Sequence, residues 1–335
     1  MDNTTFDLVF PAVGGREVVS RNDGGDITSD AGLLLVSLAD KKLGLTQAMA
    51  DAILDPREQG KVLHGIIEMA RSRIYAICQD YEDANDLDTL RHDPALKTAC
   101  NRLPKTGEAL ASQPTISRFE NMPGAKDQAR IAVAMARRVI SGLRVQTRRV
   151  IIDVDPTEDP CHGQQEFEFF NGHYGVHCFL PIHIHITGDD GRQRIIGSVL
   201  RPGNSGPTKG LYSVLRIAIR LVREHLPAAQ IILRADSAFG VCDVLDFSED
   251  MGIDYILGMK GNNVLHDLSA PVQMDACLKH KWEGNGCREY GSVFYKAGSW
   301  RHSRRVVVKA EITQGELNPR FAVTSLENGK RCGSL

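Results

Sequence analysis

The sequence predicts an α/β fold, a mixed sheet in the second half preceded by a mainly helical region in the first. Three observations carry this. Between residues 29 and 143 apolar positions recur at three and four. From residue 148 they fall instead in short runs rich in Val and Ile, bounded by Gly, Pro and Asp. Those runs follow the order strand, strand, strand, helix, strand, helix, strand, which defines a mixed sheet with helices on its faces. The expected division is a helical N-terminal region over 1–145 and a sheet-bearing core over 146–335.

Residues 1 to 25 are expected to be an extended lead-in, punctuated by Gly14, Gly15, Gly24 and Gly25. Ser29 is a candidate N-cap for a helix through Lys41, with Leu33, Leu34, Val36, Leu38 and Leu43 as its apolar stripe and Gly44 as its stop. A short helix over Thr46 to Ile53 ends at Asp55-Pro56, and a longer one is expected from about Gly60 to Asp80. Helical pattern continues over Asp88 to Cys100 and Ser112 to Asn121. The latter opens Gln113-Pro114-Thr115-Ile116-Ser117-Arg118, the way a helix that aims its first turn at phosphate or base edges begins, and also the way an ordinary capped helix begins. A last amphipathic helix spans Ala125 to Leu143.

The core opens on Arg148 to Thr157, Arg-Arg-Val-Ile-Ile-Asp-Val-Asp-Pro-Thr. Val150, Ile151, Ile152 and Val154 favour a covered strand, and Pro156 ends it because it has no N–H for the ladder. Asp153 and Asp155 are two apart and share a face. Gly175 to Ile186 and Gln193 to Arg201 read as strands joined by a turn at Gly188-Asp189-Asp190-Gly191. A helix over Thr208 to Glu224, a buried strand over Gln230 to Ala235 running into Asp236, a helix over Val241 to Met251 and a strand over Asp254 to Met259 follow. From about 261 to 319 the pattern is β-rich, an antiparallel insertion with strands at Ser292 to Ala297 and Arg304 to Ile312, before a return at Arg320 to Ser325.

Composition bounds the function. The chain is 42% hydrophobic and 24% charged, as in soluble globular proteins. No apolar run approaches the roughly 18 residues of a membrane span, and no basic leader precedes Phe6, so a cytoplasmic setting is expected. None of the eight cysteines forms a C-x-x-C pair, so neither a zinc ribbon nor a redox dithiol is indicated. The net charge of −2 excludes coating nucleic acid by bulk charge, but it hides two basic segments. Arg130, Arg137, Arg138, Arg144, Arg148 and Arg149 lie in a stretch without acids, and Arg301, His302, Arg304 and Arg305 lie between Lys296 and Lys309. Such segments suit a polyanion crossing the surface; solvated helix or hairpin faces would look the same.

The chemistry gathers at two strand ends. The strands ending in Asp155 and Asp236 can lie side by side, which brings both acids to the edge where open α/β sheets place their sites. Two carboxylates held together repel, and a pair of Mg²⁺ or Mn²⁺ ions is the usual way to neutralise and use them, in phosphoryl transfer.

Short stretches along most of the chain resemble one family. They include Thr28-Ser-Asp-Ala-Gly-Leu-Leu-Leu, Tyr81-Glu-Asp-Ala-Asn-Asp, Leu90-Arg-His-Asp-Pro-Ala-Leu-Lys and Leu110-Ala-Ser-Gln-Pro-Thr-Ile-Ser-Arg. Asp159-Pro-Cys-His-Gly-Gln-Gln-Glu, Phe169-Phe-Asn-Gly-His-Tyr-Gly, Leu200-Arg-Pro-Gly-Asn and Leu233-Arg-Ala-Asp-Ser continue the series. Together they resemble the D-D-E transposases of the insertion sequence 1380 family, whose core is ribonuclease-H-like. The resemblance implies that Asp155 and Asp236 are the first two metal-binding acids, with Asp153 the competitor for the first role. It implies Mg²⁺ or Mn²⁺ as cofactor, DNA as partner, both terminal inverted repeats and target, and a homodimer acting on paired ends in a bacterial nucleoid. The N-terminal region is then the expected DNA-binding and dimerisation part. Arg118, Arg137, Arg138, Arg148, Arg149, Arg301, Arg304 and Arg305 are the candidate DNA contacts.

The family's third acid is a glutamate on a helix after the insertion, in a Tyr-Arg-Glu-Lys-like motif, and no such stretch follows Phe321-Ala-Val-Thr-Ser-Leu. Glu327 is the nearest acid but stands in a polar, Gly-containing stretch without helical pattern. The expectation is therefore a C-terminally truncated transposase, with two alternatives: a DNA-binding remnant that does not cut, or an unrelated metal-dependent hydrolase. His162, His173, His177, His183 and His185 are close in sequence, but Gly172 and Gly175 break the helix a zinc pair would need. Gln164, Gln165 and Glu166 follow the first acid in a loop where contact with DNA or metal would be natural. No phosphate-binding glycine motif is present, and Cys161 beside His162 lacks the framing of a thiol nucleophile.

Overall fold

A computed structural model describes residues 8–13, 16–20, 27–283, 286–313 and 316–327. The chain divides into two units, Met1–Arg138 and Val139–Leu335. Gly14, Gly15, Gly24, Gly25 and the stretch from Asn328 lie outside the described residues.

In the first unit the lead-in is an antiparallel ribbon of β1 (Leu8–Val13) and β2 (Arg16–Ser20). Helices follow: α1 (Leu33–Leu43), α2 (Leu45–Ala52), α3 (Ile66–Ile77), α4 (Leu87–Leu90), α5 (Pro94–Ala99), α6 (Gln113–Asn121) and α7 (Ala125–Ile140), the last running to the boundary. Their shared core joins Leu33, Ile53, Met69, Tyr75, Leu87, Leu96, Ile116 and Phe119.

Several expected boundaries shift. Ser29 caps nothing: α1 starts after Gly32, and Ser29 bonds Asp30, which accepts from the Tyr81 hydroxyl at 3.0 Å. The expected stripe of α1 is largely exposed at Leu34, Leu38 and Leu43, while Leu33, Ser37 and Asp40 turn inward. Asp40 is tolerated there because its carboxylate accepts from Thr46 N–H at 2.9 Å, Thr46 Oγ1 at 2.5 Å and the Tyr75 hydroxyl at 2.8 Å. The 88–100 stretch breaks in two because Pro94 begins a new helix, capped by the Asp93 side chain on Leu96 N–H at 2.8 Å.

The second unit is built on an eight-stranded mixed sheet. Its strands are β3 (Arg149–Pro156), β7 (Ile182–Thr187), β8 (Gln193–Val199), β9 (Gln230–Ala235), β10 (Asp254–Met259), β11 (Arg288–Tyr295), β12 (Arg304–Thr313) and β13 (Glu316–Thr324). The order is β11-β12-β13-β10-β9-β3-β7-β8. β9 lies parallel to both β3 and β10, and every other pairing is antiparallel. A mainly helical region followed by a mixed sheet is the α/β arrangement expected from the sequence. The expected single strand over 175–186 is broken at Leu180-Pro181: a small sheet of order β4-β6-β5, from β4 (Asp159–Pro160), β5 (Phe169–Asn171) and β6 (Val176–Phe179), takes its first part.

Alternation sorts each strand. On β3, Val150, Ile152 and Val154 are buried on one face; on β7, Ile182, Ile184 and Ile186 match them. Helix α8 (Leu211–His225) packs on this face, with Val214 3.6 Å from where a Gly197 side chain would start. Helix α9 (Cys242–Asp250) joins α8 through Tyr212 and Phe247, 5.1 Å between rings. Two helices replace the first part of the expected insertion, α10 (Asn263–Leu268) and α11 (Ala270–Glu283). α11 closes on Gly291, whose missing side chain makes room for Val272. The insertion is not a separate layer, since β13 continues the main sheet from β10.

Candidate active site

Asp155 and Asp236 stand at neighbouring strand ends. The parallel register of β3 and β9 pairs Asp153 with Arg234 and ends with Val154 opposite Ala235, so Asp155 and Asp236 are the residues that follow on strands about 5 Å apart. The register follows from the sequence: the stretches Asp-Val-Asp and Arg-Ala-Asp align as equals when the strands run parallel.

The local chemistry separates the two candidates for the first acid. Asp153 is buried and accepts from Arg234 Nε at 2.5 Å and Nη2 at 3.1 Å. Its charge is already answered. Asp155 is exposed and makes no hydrogen bond or ion pair with any described residue. Asp236 is exposed too and accepts only from Ala238 N–H at 2.9 Å, through Oδ1.

The turn carrying Asp236 is fixed by glycines. A side chain at Gly258 would sit 2.7 Å from Ser237 N and 2.9 Å from the Asp236 carbonyl carbon, and one at Gly240 2.2 Å from the Gly258 oxygen. Only bare backbone allows that approach.

Polar groups surround the pair on the same sheet face. β7 places His183 opposite Asp155 and His185 opposite Asp153. His183 Nδ1 lies 3.0 Å from Ser198 Oγ, while His185 Nδ1 is buried without a partner. β4 leaves β3 across only Thr157 and Glu158, so the small sheet rises from the edge that carries the carboxylates. Its β5–β6 turn holds Tyr174, whose hydroxyl is kept protonated beyond its ordinary range by burial and then by Glu158, Asp155 and Asp236. Sequence reasoning assigned no role to Arg234, Tyr174 or Glu158. The pairing of Arg234 with Asp153 was available as two equal offsets from the two acids.

Two carboxylates without a cationic partner among the described residues are oxygen ligands that fit a hard divalent cation of the Mg²⁺ type, which is commonly held by one or two carboxylates together with substrate phosphates. Among the described residues no group of three or more His, Cys, Asp or Glu is placed to hold a metal ion, which covers the five clustered histidines as well. Glu327 follows β13, which runs antiparallel to β10 and so ends at the opposite edge of the sheet.

The candidate DNA contacts scatter. Arg118 is exposed on α6 and lines a groove of about 360 Å³ with Arg57, Lys61, His64 and Thr115. Arg137 is exposed on α7, and Arg138 donates to the Leu43 carbonyl, capping the end of α1. Arg148 and Arg149 lie at the start of β3, roughly 20 Å along the strand from Asp155. Arg301 reaches Asp246 at 2.9 Å, and Arg305 donates to the Leu326 carbonyl at 2.7 Å. Arg304 is buried between Asp246 at 2.6 Å and Glu249 at 2.8 Å, with Trp300 5.2 Å from its guanidinium, so it has no surface to offer DNA.

None of the seven described cysteines forms a disulfide, and no helix among the described residues is long and apolar enough to cross a membrane. A family model described as transposase DDE domain, group 1, matches residues 10–332. No curated protein matched the chain.

Proposed function

The chain belongs to the transposase DDE domain group 1 family, and on that premise we propose that it is the transposase of an insertion sequence, of the insertion sequence 1380 branch. Asp155 and Asp236 hold the divalent ions, Mg²⁺ or Mn²⁺. The observation that supports this reading is the parallel register of β3 and β9, which ends with Val154 opposite Ala235, one residue before Asp155 and Asp236. Asp153 serves as a brace, tied to Arg234.

The reaction is phosphoryl transfer. Water attacks the phosphorus at the element's end and the P–O3′ bond breaks, leaving a 3′-hydroxyl and a 5′-phosphate. The freed 3′-hydroxyl then attacks a target phosphodiester and expels the target's own 3′-oxygen. Divalent ions held by Asp155 and Asp236 would supply activation of the attacking oxygen and stabilisation of the leaving one. The chain's part is to fix both carboxylates on rigid strand ends and to keep other cations from neutralising them. The first unit recognises the terminal inverted repeats and contributes to a homodimer on paired ends, with Arg118 and the groove beside it as the phosphate contact. The setting proposed with this activity is the cytoplasm, at a bacterial nucleoid.

A second reading rests on one observation: no third acid joins the pair among the described residues. It is a DNA-binding protein that recognises ends without cutting them. A Mg²⁺-dependent cleavage assay on the element's own repeats decides. Cutting that Asp155→Asn and Asp236→Asn each abolish supports the transposase; wild-type binding without cutting supports the second reading.

A further inference from the structure

The β5–β6 turn is more firmly built than a solvent loop needs. Asn171 organises it: its Oδ1 accepts from His173 N–H at 2.9 Å and Tyr174 N–H at 3.4 Å, and its carbonyl accepts from Gly175 N–H at 2.8 Å. Gly175 takes φ 73°, which closes the turn at no steric cost. Asn171 Nδ2 donates to the Gly203 carbonyl at 2.7 Å, tying the turn to the loop after β8. That loop packs so closely that a side chain at Gly203 would lie 2.1 Å from the Cys178 oxygen and 2.4 Å from the Phe169 oxygen.

The small sheet that carries this turn is tied at both of its ends to the carboxylate edge. β4 follows β3 directly, and β6 leads through Leu180 and Pro181 into β7, whose Ile182 pairs with Pro156 beside Asp155. Thr157 N–H donates to the Pro181 carbonyl at 3.0 Å, closing the loop. What the turn presents is Tyr174. Its ring is half-buried, with the His173 ring edge-on at 4.8 Å, and its hydroxyl has no acceptor among the described residues. A phenol keeps its hydrogen at neutral pH and can donate it. A hydroxyl donor without an acceptor among the described residues is thus carried on the segment that joins β3 to β7 at the carboxylate edge.

We propose that Tyr174 is a substrate-contacting residue of this site, donating its phenolic hydrogen to a non-bridging oxygen of the scissile phosphate. The proposal rests on Asp155 and Asp236 being the metal-holding pair. The Asn171 turn sets the ring in place before DNA arrives, so the contact needs no reorganisation at the moment of reaction.

Terbium(III) in place of Mg²⁺ tests the placement without relying on activity, because its emission is excited through a tyrosine only at short range. In the full chain, tyrosine-excited emission is expected, and Asp155→Asn or Asp236→Asn removes it. Tyr174→Phe is expected to lose most of that emission while directly excited terbium, a measure of bound ion, is unchanged. Undiminished tyrosine-excited emission from Tyr174→Phe overturns the proposal and leaves the carboxylate site standing. Emission indifferent to both aspartates, or absent from the wild type, overturns the site and the proposal with it. The hydrogen bond is tested in Ca²⁺ with a duplex of the element's own terminal repeat, nicked at the cleavage position. Tyr174→Phe, which keeps the ring, is expected to weaken binding about tenfold. Equal affinity of Tyr174→Phe and wild type overturns the hydrogen bond.

Discussion

Arg234 grips Asp153 with two nitrogens, at 2.5 and 3.1 Å, two residues before Asp155 on one strand and two before Asp236 on the other. Two acids of one strand face therefore differ in kind: one is neutralised, the other is exposed without a side-chain partner among the described residues.

Asp153→Asn and Asp155→Asn should consequently diverge. The first removes the charge that the partly exposed Arg234 grips and is expected to cost about 1–2 kcal/mol in denaturant unfolding. The second removes one of two adjacent like charges and should leave stability within about 0.5 kcal/mol, or raise it, while Mn²⁺ binding is lost. Equal stability losses from both would refute the division of roles.

Gly258→Ala is expected to disturb metal binding from a position that bears no ligand. The added carbon would press on the backbone of Asp236 and Ser237 at 2.9 and 2.7 Å, and the turn must move. A weaker Mn²⁺ affinity with a stability loss of about 1–3 kcal/mol is the expected pair of readings.

The arginines separate by burial. Arg304→Met removes the cation shared by Asp246 and Glu249 and should cost about 3 kcal/mol or more, leaving the salt dependence of DNA binding as it was. Arg118→Ala should do the reverse: stability unchanged, affinity lower for all sequences, and a salt slope reduced by about 1.

The helical unit carries its own pH dependence in Asp40. Burial raises its pKa, but the Thr46 hydroxyl and N–H, the Tyr75 hydroxyl and Arg71 outweigh it, so the folded value lies below the ordinary one. A depressed carboxylate contributes stability above the unfolded value, near about 4, and that contribution is lost as pH falls through the folded value. Burial and the bond to Asp40 push Tyr75 up to about 12 in turn. Asp40→Asn should flatten the acid limb of the stability profile and cost about 1–3 kcal/mol at neutral pH.

Much of this was legible in the sequence where periodicity and register coincide. Gln230–Ala235 and Asp254–Met259 stand where their β-branched runs put them, because both are covered parallel strands without competing polar signals. The meeting of two strand-end acids followed from the same reasoning. What was not legible depended on distant partners. The stripe of α1 reads as core by spacing, but Asp40 takes the inside because Thr46, Tyr75 and Arg71 are there to receive it. The strand expected through Leu180-Pro181 is divided because its first part pairs with β4 and β5, a choice no local propensity records. Residues 263–283 read as β-rich in a short window, yet they form helices, α11 packing on Gly291. Arg304 looks like one more surface cation until its two acids on α9 are known.

The alternation of β3 also divides its failures. Val150, Ile152 and Val154 answer to the helix-covered face, while Asp153 and Asp155 answer to the other. On the function proposed above, a copy that lost Asp155 would still fold and keep the residues proposed to contact DNA. It would then compete with intact copies for the same ends, so that decay of the chemistry would produce an inhibitor before it produced debris.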